Sequence, residues 1–321
     1  MTEEYRHIPV MIEQVLHELD PRPGEVVCDC TLGGASHTVE LARRIQPDGL
    51  SLGIDQDELA LAAATERFER EVPGAEHRFL KGNFGDLDAL LVKVEVPGVD
   101  CFLFDLGVSS PQLDIASRGF SYREDAPLDM RMDPGDDTLT AAEVVNTYNE
   151  ADLARILRIY SDERFASRIA HAIVHARGRA PIRTTLQLAD IVRRAIPAAA
   201  RRHGGHPARR TFQALRIEVN HELEALERGL RSAVRWADTG GRICVISYHS
   251  LEDRLVKHVF SELSQGCVCP PDLPVCACGH VPIVEVRTRR PLVPSGEEVA
   301  ANPRSRSALM RVAVKLDVTE A

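Results

Sequence analysis

The 321-residue chain has one tryptophan, 5% aromatic residues, no internal repeat and no low-complexity tract. Its apolar runs fall well short of the roughly 20 residues that a membrane helix needs. The first residues, MTEEYRHIPV, have neither the basic start nor the apolar centre of a signal peptide. These absences predict a soluble, cytoplasmic protein with no membrane partner. Lysine is missing from the 66 residues between Ala151 and Arg216, which hold fourteen arginines against Asp152, Asp162, Glu163 and Asp190. That stretch carries a net of plus ten, within a chain whose total is minus nine. Arginine in place of lysine suits planar, bidentate contact with phosphate and stacking on bases, so a nucleic-acid partner is expected despite the acidic total. A solvated helical surface would show a similar charge run.

Cysteine is used in two ways among the eight present. Cys28, Cys101 and Cys244 lie in apolar, strand-like runs and read as buried thiols in a reducing compartment. Cys267, Cys269, Cys276 and Cys278 form CVCPPDLPVCAC, two Cys-x-Cys pairs six residues apart. A zinc site needs four thiolates brought together, and paired prolines would bend the chain suitably; the usual spacing, however, is Cys-x-x-Cys. A metal site and a compact loop of reduced thiols both stay open.

The stretch Cys101 to Gln112, CFLFDLGVSSPQ, organises the rest. Cys-Phe-Leu-Phe is an apolar run without alternation, which suits a strand covered on both faces. Asp105 stands where the strand stops, followed by Gly107 and the turn-forming Ser109, Ser110 and Pro111. In open α/β sheets ligands bind at that carboxyl edge.

Upstream, MIEQVLHELD has helical apolar spacing and is stopped by Pro21, Pro23 and Gly24. EVVCDCTLGGASH then reads as a strand, an acid at its end and a small-residue loop, leading into a helix near His37. Such a unit offers backbone N–H groups to a nucleotide, although Gly33-Gly34 also serves ordinary tight turns. A second strand ends in Asp55, about twenty residues on, where an acid can accept from both ribose hydroxyls. After a helix from Glu58 to about Glu71, a third strand ends in Asn83 and Phe84, an amide that could read a base edge and a ring that could pack on it. Strands and helices alternate, so a doubly wound parallel sheet is predicted.

From residue 113 the pattern changes to turn residues and then to the amphipathic, arginine-rich helices, with Pro181 and Pro197 as breaks and RRHGGHPARR as a basic loop. A single long helix from about Thr211 to Gly240-Gly241 is expected to bring the chain back. The strand GRICVISYHS follows, closed by Tyr248, His249 and Ser250, then a helix and two further strands in an antiparallel finish. The domain reading is therefore 1–112 with 211–321 as the sheet domain and 113–210 as an insertion.

The acid on strand two, the loop after strand one and the aromatic after strand three describe an adenosine pocket, without separating a nicotinamide cofactor from S-adenosylmethionine. A dinucleotide site wants GxGxxG near a pyrophosphate, and no later glycine follows Gly33-Gly34; the looser loop is adequate for a methionine-bearing nucleoside.

These blocks resemble a known family. Asp29-Cys30-Thr31-Leu32-Gly33-Gly34-Ala35-Ser36-His37, DLGVSSPQLD from Asp105, RGFSYREDAPLDMRMD from Arg118, HPARRTFQALRIEVN from His206, SYHSLEDR from Ser247 and NPRSRSALMRVA from Asn302 are similar to the RsmH, or MraW, methyltransferases. The resemblance spans nearly the whole chain. It implies an α/β class I (Rossmann-like) methyltransferase sheet with an inserted helical substrate-recognition domain. It also implies S-adenosylmethionine-dependent methylation of N4 of a cytidine in the decoding region of 16S rRNA, in the free RNA or the small ribosomal subunit; a homodimer is compatible with this reading. The family's cofactor contacts map onto Ala35, Ser36, His37, Asp55, Phe84, Asp105 and Gln112. The family's loop usually has two glycines where this chain has Ala35 and Ser36; if either position needs positive φ, the replacement costs on the order of 1–2 kcal/mol.

The exocyclic amine of cytosine shares its lone pair with the ring, so the enzyme must polarise and align it. Ser-Ser-Pro after strand four is similar to the (Asp/Asn/Ser)-Pro-Pro-aromatic element of DNA amino-methyltransferases. Asp105 and the Ser109–Pro111 backbone are therefore expected to hold the amine, unless the segment is only a turn. His249 would line the pocket or accept a proton, or it is merely packed. Arg131, Arg164, Arg168, Arg209, Arg210 and Arg216 are the candidate RNA contacts, and the cytidine has to be flipped out or reached before the RNA is fully folded.

Overall fold

The computed structural model describes residues 9–108, 110–135, 138–202, 205–267, 269 and 278–317. The chain divides into two compact units, Met1–Gly107 with Glu224–Ala321, and Val108–Leu223. In the first, α1 (Ile12–Leu19) precedes β1 (Val26–Asp29), α2 (Ser36–Ile45), β2 (Leu50–Asp55), α3 (Glu58–Glu71), β3 (Glu76–Lys81), α4 (Leu87–Lys93) and β4 (Val99–Asp105). The second holds α5 (Ser110–Asp114), α6 (Ala141–Thr147), α7 (Glu150–Ser161), α8 (Ala166–Arg177), α9 (Thr185–Ala195) and α10 (Arg209–Asn220). The chain returns to the first unit through α11 (Glu222–Trp236), then β5 (Ala237–Ser247), α12 (Ser250–Leu263), β6 (Val284–Val286), α13 (Gly296–Ala301) and β7 (Leu309–Lys315).

The seven strands lie in the order β3-β2-β1-β4-β5-β7-β6. β7 pairs antiparallel with both neighbours, so it alone runs against the others and the finish has one reversed strand. This is the Rossmann-like methyltransferase sheet with a helical insertion that the sequence blocks imply.

β4 shows why its sequence has no polar alternation. Phe102 and Phe104 enter one core with Leu52, Ile54 and Val245, while Cys101 and Leu103 enter another with Val27, Cys244 and Ile246. Both faces are covered, so both residue parities are apolar. Cys28, Cys101 and Cys244 are buried as expected.

The second unit has its own core, in which Leu153, Ile156 and Leu157 of α7 meet Ile169 and Ile173 of α8, Leu188 and Val192 of α9, and Phe212 and Leu215 of α10. Capping boxes start two of its helices, Thr140 with Glu143 and Thr184 with Gln187. Each pair satisfies two of the N–H groups that a helix start leaves unpaired. Among the described residues no helix is long and apolar enough to cross a membrane.

The single helix expected from Thr211 is instead two. His221 sits between α10 and α11 in the left-handed region, at φ 49°. The break follows from Asn220, whose Oδ1 accepts from Met132 N–H at 2.7 Å and whose Nδ2 donates to the Met130 carbonyl at 2.8 Å. The end of α10 is thereby tied to the loop at 130–132. Gly240 and Gly241 do not end the helix either; they lie inside β5.

Candidate active site

The carboxyl ends of β1, β2 and β4 each carry an aspartate, and the loop after β1 is built on all three. Asp29 is buried. Its Oδ1 accepts from Thr31 N–H at 3.1 Å and from the Thr31 hydroxyl at 3.3 Å, and its Oδ2 accepts from the Thr38 hydroxyl at 2.7 Å. Thr31 Oγ1 in turn accepts from Asp105 N–H at 2.7 Å, which ties the start of the loop to the end of β4. Asp55 holds the next turn: Oδ2 accepts from Gly33 N–H at 2.8 Å and Oδ1 from Asp57 N–H at 2.9 Å. Burial raises the carboxyl of both Asp29 and Asp55 above the usual range, against the pull of these donors.

Leu32 and Ala35 anchor the loop in a cluster with Val39, Ala42, Ala64 and Phe68. Ala35 takes the left-handed conformation, φ 56°, immediately before α2. The positive φ thus falls on Ala35 and not on Ser36, which opens the helix. Arg67 of α3 braces the loop by donating to the Ser36 hydroxyl at 2.5 Å and to the Gly34 carbonyl at 3.3 Å. No local motif announces Arg67, because its role depends on how α3 packs beside α2.

His37 and Asp105 form the centre. His37 Nε2 is 2.8 Å from the Val10 carbonyl, which can only accept, so that nitrogen carries a hydrogen. Nδ1 faces Asp105 Oδ2 at 3.6 Å. On the other side Tyr248 donates to Asp105 Oδ1 at 2.7 Å. Burial raises the Asp105 carboxyl, His37 and Tyr248 oppose that, and Asp29 adds repulsion. The Tyr248 phenol is pushed well above its ordinary range by burial and by Asp105, so it remains a donor. The sequence marks Tyr248 only as a strand end; its partnership with Asp105 becomes visible once β4 and β5 are known to be neighbours.

His249 caps α12. Its Nδ1 accepts from Glu252 N–H at 3.3 Å and its Nε2 lies 3.1 Å from Glu252 Oε1. Glu252 Oε2 accepts from Tyr248 N–H at 2.8 Å and from His249 N–H at 3.1 Å. Nδ1 is therefore committed to the cap, whereas Nε2, although close to Glu252, is buried and makes no hydrogen bond among the described residues. Phe84 is half-buried, edge-on to Phe104 with ring centroids 5.7 Å apart. Gly229 lets α11 approach it: a Cβ there would come within 2.9 Å of the Phe84 ring and carbonyl oxygen. Asn83 is committed to local structure, accepting from Gly85 N–H at 2.8 Å and donating to Gln56 at 3.1 Å.

Gln112 is buried in α5 of the second unit. Ser110 and Pro111 open that helix, and Ser109 lies outside the described residues. The candidate RNA contacts divide. Arg131 is bidentate to Asp129 at 2.9 Å through both arms, and Arg216 is bidentate to Glu222 at 2.7 and 2.8 Å. Arg210 is exposed and donates to the Asp162 carbonyl at 3.2 Å. Arg164, Arg168 and Arg209 are exposed.

The first unit fits S-adenosylmethionine chemically. Each Asp55 oxygen accepts one amide and keeps a second lone pair for a ribose hydroxyl, and the side chain is not fully buried. The loop presents a turn without the third glycine a pyrophosphate needs.

The model of the MraW methylase family matches residues 4–316. Over 316 residues the chain is 52% identical to the ribosomal RNA small subunit methyltransferase H of Symbiobacterium thermophilum, covering 98% of each. It is 54% identical over 313 residues to the protein of that name from Pelobacter propionicus, covering 97% of this chain and 99% of the relative. The corresponding protein of Geobacter sulfurreducens is 52% identical over 315 residues, with 97% and 99% covered. With a family model spanning nearly its whole length and relatives identical at half their positions, the chain belongs to the MraW methylase family.

Proposed function

We propose that the chain methylates the N4 amine of a cytidine in the decoding region of 16S rRNA, within the small ribosomal subunit or its precursor. The observation that carries this reading is the identity of about half of all residues, over 97–98% of the chain, with proteins named as small-subunit rRNA methyltransferases. S-adenosylmethionine supplies the electrophilic methyl group. Asp55 holds the ribose, Phe84 flanks the base, and Ala35 with Ser36 and His37 shapes the loop beneath; Gln112 is assigned to the same cofactor by resemblance.

Asp105, kept acceptor-competent by Tyr248, takes a hydrogen of the amine, and the Ser109–Pro111 backbone that follows it in the chain offers further acceptors. Two acceptors on the amine hydrogens localise the nitrogen lone pair and aim it, so positioning supplies most of the acceleration. The proton lost from nitrogen passes to Asp105 or to water. His249 is a positioning residue: by capping α12 it fixes the backbone from which Tyr248 reaches Asp105. RNA recognition is assigned to the arginine-rich insertion, 113–210.

The test is methyl transfer from tritiated S-adenosylmethionine to small subunits and to naked 16S rRNA from cells lacking this modification, followed by nucleoside mass spectrometry. N4-methylcytidine at one decoding-region position is expected. Label on another base, or on DNA in preference to RNA, would overturn the reading.

A further inference from the structure

Four of the cysteines, 28, 30, 101 and 244, are buried in the sheet core, where burial drives the thiols of Cys30, Cys101 and Cys244 upward and keeps them inert. Cys267, Cys269 and Cys278 are different. They lie in the connection between α12 and the edge strand β6, where Cys267 and Cys278 are exposed and Cys269 is partly so. Packing does not explain cysteine there, since a thiol on the surface gains nothing from its apolar character.

The connection is closed at its base by two hydrogen bonds. Ile283 N–H donates to the Leu263 carbonyl at 2.8 Å, and His280 Nδ1 donates to the Gln265 carbonyl at 3.0 Å. These two bonds bring the ends of the connection together just before Cys267 and just after Cys278. Cys267 Sγ and Cys278 Sγ are 3.8 Å apart, and all three sulfurs lie within 4.8 Å of one another. A tetrahedral zinc ion with Zn–S bonds of about 2.3 Å holds its sulfurs about 3.8 Å apart. Cys278 also accepts from the His280 backbone N–H at 3.4 Å, across Gly279 in the left-handed conformation at φ 58°. A backbone N–H aimed at sulfur favours the thiolate over the thiol, as a metal ligand requires.

We propose that Cys267, Cys269 and Cys278 bind a structural zinc ion that locks the loop between α12 and the edge strand β6. Cys276, the sequence mate of Cys278, lies outside the described residues, and the site rests on the other three. Zinc suits the donor set: soft thiolates without carboxylates select it over magnesium or calcium. Binding displaces the remaining thiol protons and ties together the two ends of the connection.

The full-length chain, purified under reducing conditions from zinc-supplemented medium, should carry about one zinc per chain by plasma mass spectrometry. Thiol modification should release that zinc. Metal-stripped protein titrated with Co2+ should develop sulfur-to-cobalt charge-transfer absorption and the visible bands of a tetrahedral ion. Cys267→Ser and Cys278→Ser should each lower Co2+ affinity at least tenfold while still binding S-adenosylmethionine, which shows that they fold. Wild-type protein that is metal-free and gives no thiolate–cobalt absorption overturns the proposal. So do serine variants that bind Co2+ as the wild type does, or a disulfide among these cysteines in protein kept under nitrogen.

Discussion

Tyr248 donates its phenolic hydrogen to Asp105 Oδ1 at 2.7 Å, joining the carboxyl ends of two neighbouring strands. Tyr248 and His37 oppose the rise that burial imposes on the Asp105 carboxyl. Removing the phenol therefore raises that pKa further. Tyr248→Phe should move the acid limb of the pH profile of kcat/KM to higher pH and lower the plateau about tenfold, the scale of one hydrogen bond to a charged group. An acid limb that stays where it is in the wild type would show that Asp105 is not the group titrating there.

Asp105→Asn separates stability from activity. The folded-state pKa of Asp105 is raised, so its contribution to stability is fully present below the unfolded value of about 4 and is lost as pH rises through the folded value. At pH 7.5, well above the unfolded value, the buried carboxyl group is thus a liability. Asparagine is of the same shape: its oxygen accepts from Tyr248 and its NH2 faces His37 Nδ1. The variant should melt higher than wild type at pH 7.5, with the advantage shrinking toward pH 4, and should lose methyl transfer by about 100-fold or more. Equal melting temperatures at pH 7.5 would contradict the burial argument.

The sheet was legible because its evidence is local. A two-faced strand such as Cys101–Phe104 cannot hide its apolar run, and Asp55 and Asp105 announce themselves as acids where such runs stop. Partnerships across strands and helices were not legible. The hold of Arg67 on Ser36, of Thr31 on Asp105 and of Asn220 on Met132 spans 31, 74 and 88 residues, and no periodicity encodes these distances. The break at His221 was hidden for a related reason. Apolar spacing continues through it, and only the tertiary tie at Asn220 shows that the helix must end.

The loop of the first strand can be relieved of strain. Ala35 sits at φ 56°, where a Cβ costs on the order of 1–2 kcal/mol. Glycine removes that cost but gives the unfolded chain more freedom, worth about 0.4–1 kcal/mol in the opposite sense. Ala35→Gly should therefore raise unfolding free energy by about 0.5–1 kcal/mol in urea titrations. It should leave S-adenosylmethionine affinity equal or higher by calorimetry. A clear loss of stability would mean that the methyl group's packing outweighs the backbone strain.

The capping geometry of His249 predicts which replacements are tolerated. Asparagine is a good N-cap and can accept from Glu252 N–H, whereas alanine cannot. His249→Ala should cost about 1 kcal/mol of stability and some activity, and His249→Asn should restore most of both. If His249→Asn is as stable as wild type yet inactive, the imidazole has a direct part in proton transfer.

Arginines of the insertion should fall into two groups when replaced. Arg164, Arg168 and Arg209 are exposed and, among the described residues, make no ion pair. Their replacement by alanine should change stability by less than about 0.5 kcal/mol. Each that contacts phosphate should weaken RNA binding and reduce the slope of log affinity against log salt by about 1. Arg216 is held by Glu222 with both side chains largely buried, so Arg216→Ala leaves a carboxylate without its partner. It should cost about 2 kcal/mol of stability and lower RNA affinity only through that loss, with the salt slope unchanged. A salt slope that falls in Arg216→Ala would mean that RNA displaces Glu222, and that the pair is a latch opened by phosphate instead of a fixed brace.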